Sequence, residues 1–139
     1  LDIPIQAEYP AAYAHQNIVA VLATDDQDQA ASATGIGAVA VDLGAPGSDI
    51  QTTTLGAQYR SKFGTSFAVP HVSGALALTW AADPTLSAHA VRQRVLDHVE
   101  TVVGLSAKSA TGRMLNLRFL PPPPSRPPAP TLLDVGPQP

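Results

Sequence analysis

Between Gly64 and Gly74 the chain reads Gly-Thr-Ser-Phe-Ala-Val-Pro-His-Val-Ser-Gly, and here its residue types could support chemistry. An apolar, alanine-rich run follows Ser66, so the serine stands where an extended segment enters a helix. The first turn of a helix carries backbone N–H groups with no intrahelical partner, and the macrodipole adds partial positive charge. A serine hydroxyl there is suited to attack on a carbonyl, because N–H donors already point where an oxyanion will form. Gly64 permits a tight entry, and Ala68 and Gly74 would let the helix lie close to its neighbours. Pro70 belongs in a first turn, where its missing donor has no partner, which predicts a helix start within a few residues of Ser66. A serine alone in such a place reads first as a helix cap.

The whole stretch says more than the serine alone. It resembles the serine signature of the subtilisin family, G-T-S-x-A-x-P-H-V-x-G, and matches all eight specified positions over eleven residues. Tyr9-Pro10-Ala11-Ala12-Tyr13, Ala23-Thr24-Asp25, Val41 to Gly47, Ile50 to Tyr59 and Gly112 to Asn116 resemble family segments in family order, covering roughly residues 7–119. The resemblance implies a serine-type endopeptidase in which Ser66 is the acylating nucleophile and its backbone N–H is one oxyanion-hole donor. It also implies protein or peptide substrates and a secreted or cell-surface location. His71, five residues after the serine, matches a buried structural histidine of the family rather than the general base. His15, His89 and His98 read as surface residues.

A serine hydroxyl is a weak nucleophile without a base in reach and a carboxylate to orient that base. In the subtilisin family the order is Asp, His, Ser, with an upstream Asn side chain completing the oxyanion hole. No such Asp, His or Asn segment precedes Ser66 here, and Leu1-Asp2-Ile3-Pro4 reads as an interior cut. These 139 residues alone are therefore expected to be inactive, and to fold poorly with an apolar sheet edge exposed.

Several positions depart from the family pattern. Phe67 stands where Met is frequent, Phe63 where a small polar residue is usual, and Ala33 and Gly35 where an aromatic and a small polar residue are common. Glu8 matches the base of the family's primary specificity pocket, where a carboxylate would favour a Lys or Arg side chain. The simpler reading, a solvated loop glutamate, is the one its sequence context favours. Carbonyls near Ala11 and Tyr13 resemble a weak cation site of some relatives, but carbonyl ligands leave no side-chain signature. No cofactor or metal set is evident, and a structural calcium or other cation is compatible with a full-length enzyme.

Two other readings start from the same residues. A non-catalytic relative would keep the fold as a binding or structural module, with no need to retain Ser66. An α/β-hydrolase would use Gly64-Thr65-Ser66-Phe67-Ala68 as its G-x-S-x-G elbow, with Asp83, Asp97, His89 or His98 as partners. Its fifth position is Ala, and Pro70-His71-Val72 goes unexplained.

The elements that must carry Ser66 are legible in outline. Ile18 to Ala23 and Val39 to Leu43 are short apolar runs that read as strands buried on both faces, the second stopped by a turn at Gly44-Ala45-Pro46-Gly47. Ile50 to Leu55 and Gln58 to Phe63 flank Gly56-Ala57 as a hairpin. Ser66 to Ala82, apolar almost all round, predicts a helix buried at the centre of the domain, ended by Asp83-Pro84. A second helix starts at the cap Ser87, with Val91, Val95 and Val99 inward and Arg92, Arg94, Asp97 and Glu100 toward water. Buried strands followed by helices predict an α/β fold with a largely parallel sheet. By resemblance it is part of a three-layer subtilisin-like domain whose buried central helix starts at the nucleophile.

Composition narrows the field further. Hydrophobic residues make up 45% and charged ones 14%, which suits one α/β core over about residues 1–120. Net charge is −3 with no clustered Lys/Arg, so a nucleic-acid footprint has no support. No apolar run approaches the roughly 20 residues needed to cross a bilayer. Cysteine is absent, which excludes disulfides and thiolate metal sites. Nine of the fourteen prolines follow Leu120, so residues 121–139 read as an extended, disordered linker to a further domain or anchor.

Overall fold

The two apolar runs pair side by side. In the computed structural model, which describes residues 9–13, 15–32 and 41–122, strand β1 (Val21–Thr24) lies parallel to β2 (Leu43–Pro46), Val21 opposite Leu43 and Thr24 opposite Pro46. The hairpin strands β3 (Ile50–Thr54) and β4 (Gln58–Lys62) form their own two-stranded sheet. Helices α1 (Thr65–Ala82) and α2 (Ala88–Asp97) follow, then β5 (Glu100–Thr101), a 3-10 turn at Val103–Leu105 and β6 (Arg113–Met114). The main sheet has the order β1-β2-β6-β5, parallel except for the β5–β6 pair. This is the α/β arrangement with a mostly parallel sheet that the sequence predicts.

Alternation along the strands sorts side chains to two covered faces. Ala23, Leu43 and Ala45 meet Ala68 and Val72 of α1 and Val99 beyond α2. On the opposite face Leu22 and Val41 pack with Leu105 of the 3-10 turn. Burial on both faces is why these strands read as continuous apolar runs, and Leu22, Leu43 and Leu105 are wholly enclosed. Each such leucine contributes about 2 kcal/mol of apolar burial.

Strand β2 departs from expectation, because Gly44-Ala45-Pro46 belongs to the strand and is not a turn. Register with β1 decides this, since the parallel partner continues to Thr24. Gly44 fits because a Cβ there would come within 2.7 Å of Leu105 Cδ1. Pro46 closes the strand, where a missing donor is tolerated. Residues 39 and 40 of the expected strand lie outside the described residues, as do Glu8, Ala33, Gly35 and the proline-rich segment beyond Pro122.

Helix α1 also differs from expectation. Ala68, Val72, Ala75 and Thr79 form its buried stripe against β1 and β2, with α2 alongside. Val69, Leu78 and Trp80 are 44%, 55% and 49% exposed, so its apolar far side is open rather than central. In α2, Ser87 caps as predicted, its Oγ accepting the Ala90 N–H at 3.2 Å. Arg92, expected to face water, instead turns inward. Its Nε donates to the Ile18 carbonyl at 2.9 Å and its Nη2 to Asp42 Oδ1 at 2.8 Å, while Asp42 Oδ2 accepts the Ala20 N–H.

Candidate active site

Ser66 reaches the surface through three local devices. The β3–β4 hairpin delivers the chain to the helix, its base tied by a hydrogen bond from Ser61 Oγ to Asp49 Oδ1. Gly64 is the N-cap with φ +127° and ψ 167°, backbone that a side chain would strain, so its expected role in the tight entry holds. The Phe67 N–H then donates to the Gly64 carbonyl at 3.0 Å, closing the first turn. No side chain caps this helix and no acidic residue occupies its first turn. The partial positive charge therefore meets no carboxylate in the helix's own first turn.

Ser66 is the second residue of α1 and is exposed. It is not the cap, and its hydroxyl has no hydrogen-bond partner among the described residues. Its N–H is one of the first-turn donors that the helix leaves unused. Hydroxyl and N–H thus open to the same solvent-facing end of α1. An electrophilic carbonyl approaching Oγ would bring its oxygen toward a donor carried by the same residue.

The neighbouring positions correct several expectations. Pro70 is the sixth helical residue and lies in the second turn, not the first. It therefore leaves the Ser66 carbonyl, four residues earlier, without its usual i+4 donor. His71 is exposed rather than buried, and its Nδ1 lies 3.0 Å from the Phe67 carbonyl of its own helix. The side that would enclose it is the open face of α1. A Cβ placed on Gly74 would meet nothing within 4 Å, so this glycine serves no close packing here, whereas Ala68 is fully buried as expected. Phe67 is half-buried and Phe63 is exposed.

The histidines and acids that an α/β-hydrolase reading would draw on, and His15, have other partners. His15 packs beside Tyr13 with ring centroids 5.9 Å apart, and His98 stacks on Phe119 at 4.4 Å. His89 lines a cleft with Trp80, Leu76 and Arg92. Asp97 accepts from Gln93 and Asp83 from Thr85. Asp83 caps the far end of α1, 17 residues from Ser66, which at 1.5 Å per residue is about 25 Å. An α/β-hydrolase triad that used Asp83 therefore has no geometric support, and among the described residues no hydrogen bond joins Ser66 to Asp97, His89 or His98. Among the described residues no three His, Asp or Glu side chains gather as a metal site would. No helix among them is long and apolar enough to cross a membrane.

A sequence model of the subtilase family matches residues 4–117, most of the chain and all of the strand–hairpin–helix unit that presents Ser66. The chain belongs to the subtilase family. Subtilases are serine peptidases, and the chain shares 44% identity over 87 residues with Subtilisin Savinase of Lederbergia lenta, 63% of this chain and 31% of that protein. It is 39% identical over 104 residues to the M-protease of Shouchella clausii, covering 75% and 26% respectively. Subtilisin NAT of Bacillus subtilis subsp. natto is 41% identical over 98 residues, covering 70% and 25%. The chain thus spans between a quarter and a third of the length of these subtilases.

Two parts of this subtilase frame escape sequence reasoning. Asp42 and Arg92 are 50 residues apart, and only the fold brings them together. Gly47 reads from sequence as part of a turn, yet it is buried and contacts the N-cap of α1. An apolar segment containing a lone acid, Val41-Asp42-Leu43, is the available signal for the first.

Proposed function

We propose that Ser66 is the acylating nucleophile of a serine endopeptidase. The observation that carries this reading is an exposed serine, with no partner for its hydroxyl among the described residues, at the second position of a helix whose glycine N-cap offers no side chain to the first-turn donors. Ser66 Oγ attacks the scissile carbonyl carbon while its proton passes to a general base, and the carbonyl π electrons move onto oxygen. The Ser66 N–H is one donor to that oxyanion. Collapse breaks the C–N bond and the base returns the proton to the leaving amine. Water then cleaves the acyl-enzyme by the same steps in reverse order.

This reading also needs a base, a carboxylate to orient it and a second oxyanion donor, which the family pattern places upstream of the serine and which have no matching segment before Ser66 in these 139 residues. The chain by itself is accordingly inactive in this reading. The substrates are proteins or peptides and the enzyme works outside the cell or at its surface, both supported by family membership. Replacing Ser66 with Ala in the full-length protein should lower kcat on a casein or chromogenic peptide substrate by at least about 10³-fold. Hydrolysis that survives Ser66→Ala would reject the reading. A folded protein that never hydrolyses peptides would favour a non-catalytic module.

Glu8 is proposed as a contributor to selectivity for Lys or Arg side chains, on the strength of its family position. Glu8→Gln should reduce the preference for basic over apolar substrates in the full-length enzyme. Equal ratios in the two proteins would remove the assignment.

A further inference from the structure

The end of the main sheet and the start of α1 are joined by a short chain of backbone hydrogen bonds. The Gly47 N–H donates to the Thr24 carbonyl at the end of β1, at 3.0 Å. The Gly47 carbonyl accepts the Gly64 N–H at 2.7 Å, and the Gly64 carbonyl accepts the Phe67 N–H at 3.0 Å. Gly64 is the N-cap of α1, two residues before Ser66. Three consecutive bonds therefore run from the buried strand to the helix turn that carries the nucleophile.

Gly47 itself has no room for a side chain. A Cβ there would stand 2.6 Å from Ala23 Cβ, 3.0 Å from the Gly64 carbonyl oxygen and 3.1 Å from Ala23 Cα. Ala23 is fully buried in the core beside Leu43 and Ala68, so it has little freedom to retreat. The Gly64 carbonyl is the softer neighbour, because it belongs to a surface loop entering the helix. Displacing it would tilt the first turn, moving Ser66 Oγ and the Ser66 N–H together.

We propose that Gly47 is a positioning residue for Ser66, setting the height of the α1 N-terminus over the sheet through the Thr24–Gly47–Gly64 relay. The proposal rests on the peptidase reading of Ser66. A misplacement of about 1 Å costs on the order of 10²-fold in rate without altering how substrate side chains are held. A packing defect alone would instead lower stability and leave kcat untouched.

The three contacts of the added Cβ allow these effects to be separated. Ala23→Gly removes the tightest, 2.6 Å to Ala23 Cβ, and leaves the 3.0 Å contact with the Gly64 oxygen and the 3.1 Å contact with the Cα of residue 23. In the full-length protein, Ala23→Gly alone should keep the wild-type kcat. Adding Gly47→Ala in that background should lower kcat about 10²-fold, with KM within about twofold and a native near-UV circular dichroism spectrum. Amide hydrogen exchange at Gly64 should accelerate in the same variant. A double variant with kcat within threefold of Ala23→Gly, or one changed only in KM, would overturn the relay. If the double variant does not fold, the wild-type Gly64 amide decides: slow exchange supports the relay, and exchange at an exposed-loop rate overturns it. A wild-type protein without Ser66-dependent turnover is the failure of the peptidase reading, and Gly64 exchange still judges the relay on its own.

Discussion

Phe67 follows Ser66 directly, half-buried in the first turn of α1. A thioether in that place oxidises to a polar sulfoxide, whereas a phenyl ring does not. In the full-length enzyme, Phe67→Met should lose activity in dilute peroxide several-fold faster than wild type, followed as residual peptide hydrolysis over time. Equal rates of loss would show that this position does not control oxidation. At the same scale, the signature around Ser66 is legible because residue types at fixed offsets suffice to define a helix entry. The settings of Pro70 and His71 are not. Where a helix begins depends on the Gly64 cap and its hydrogen bonds, and whether His71 is buried depends on what covers the far side of α1.

At the element scale, local rules read well and long-range ones poorly. Ser87 announces α2 because capping involves a hydroxyl and an N–H three residues away. Sequence alone misplaces β2 because the strand's limits are set by pairing with β1, some twenty residues earlier. It assigns Arg92 to water because helical spacing cannot reveal an acid 50 residues upstream. That acid is a junction: Asp42 holds both the Ala20 N–H and Arg92, joining the start of β1 to α2. Asp42→Ala leaves both donors without their acceptor in a half-buried setting and should cost about 1–3 kcal/mol. A urea midpoint lowered at unchanged slope would show it.

The turn between the helices carries its own titration. Hydrogen bonds from the Thr85 hydroxyl and N–H hold the Asp83 carboxyl below its ordinary value of 3.8, with Arg94 adding to the effect. A depressed folded-state pKa contributes stability that is complete above the unfolded value and fades as pH falls through the folded one. The stability difference between wild type and Asp83→Asn should therefore be constant from neutral pH down to about pH 4 and change only below it. Because Asp83 is exposed, the difference should be small and weakened by salt. A difference that varies between pH 5 and 8 would assign the titration elsewhere.

On the scale of the whole molecule, the sheet is covered on both faces while α1 is covered on one side only. Leu78, Ala81 and Ala82 line an apolar cleft with Leu117, Leu120, Pro121 and Pro122, and Val69 and Trp80 add further exposed apolar surface. The sequence makes α1 apolar all round, and the folded chain supplies partners for one stripe. The proposed chemistry is divided in the same way: Ser66 stands exposed at the start of α1, and among the described residues its hydroxyl has no hydrogen-bond partner. The chain spans a quarter to a third of the length of the subtilases it matches.

Labelling with a serine-directed fluorophosphonate, followed by peptide mapping, tests the nucleophile most directly. The full-length protein should carry one stoichiometric adduct on Ser66 Oγ, absent in Ser66→Ala, while the 139-residue chain alone should label at no more than a trace. An active full-length protein whose adduct maps to any residue other than Ser66 would contradict the assignment.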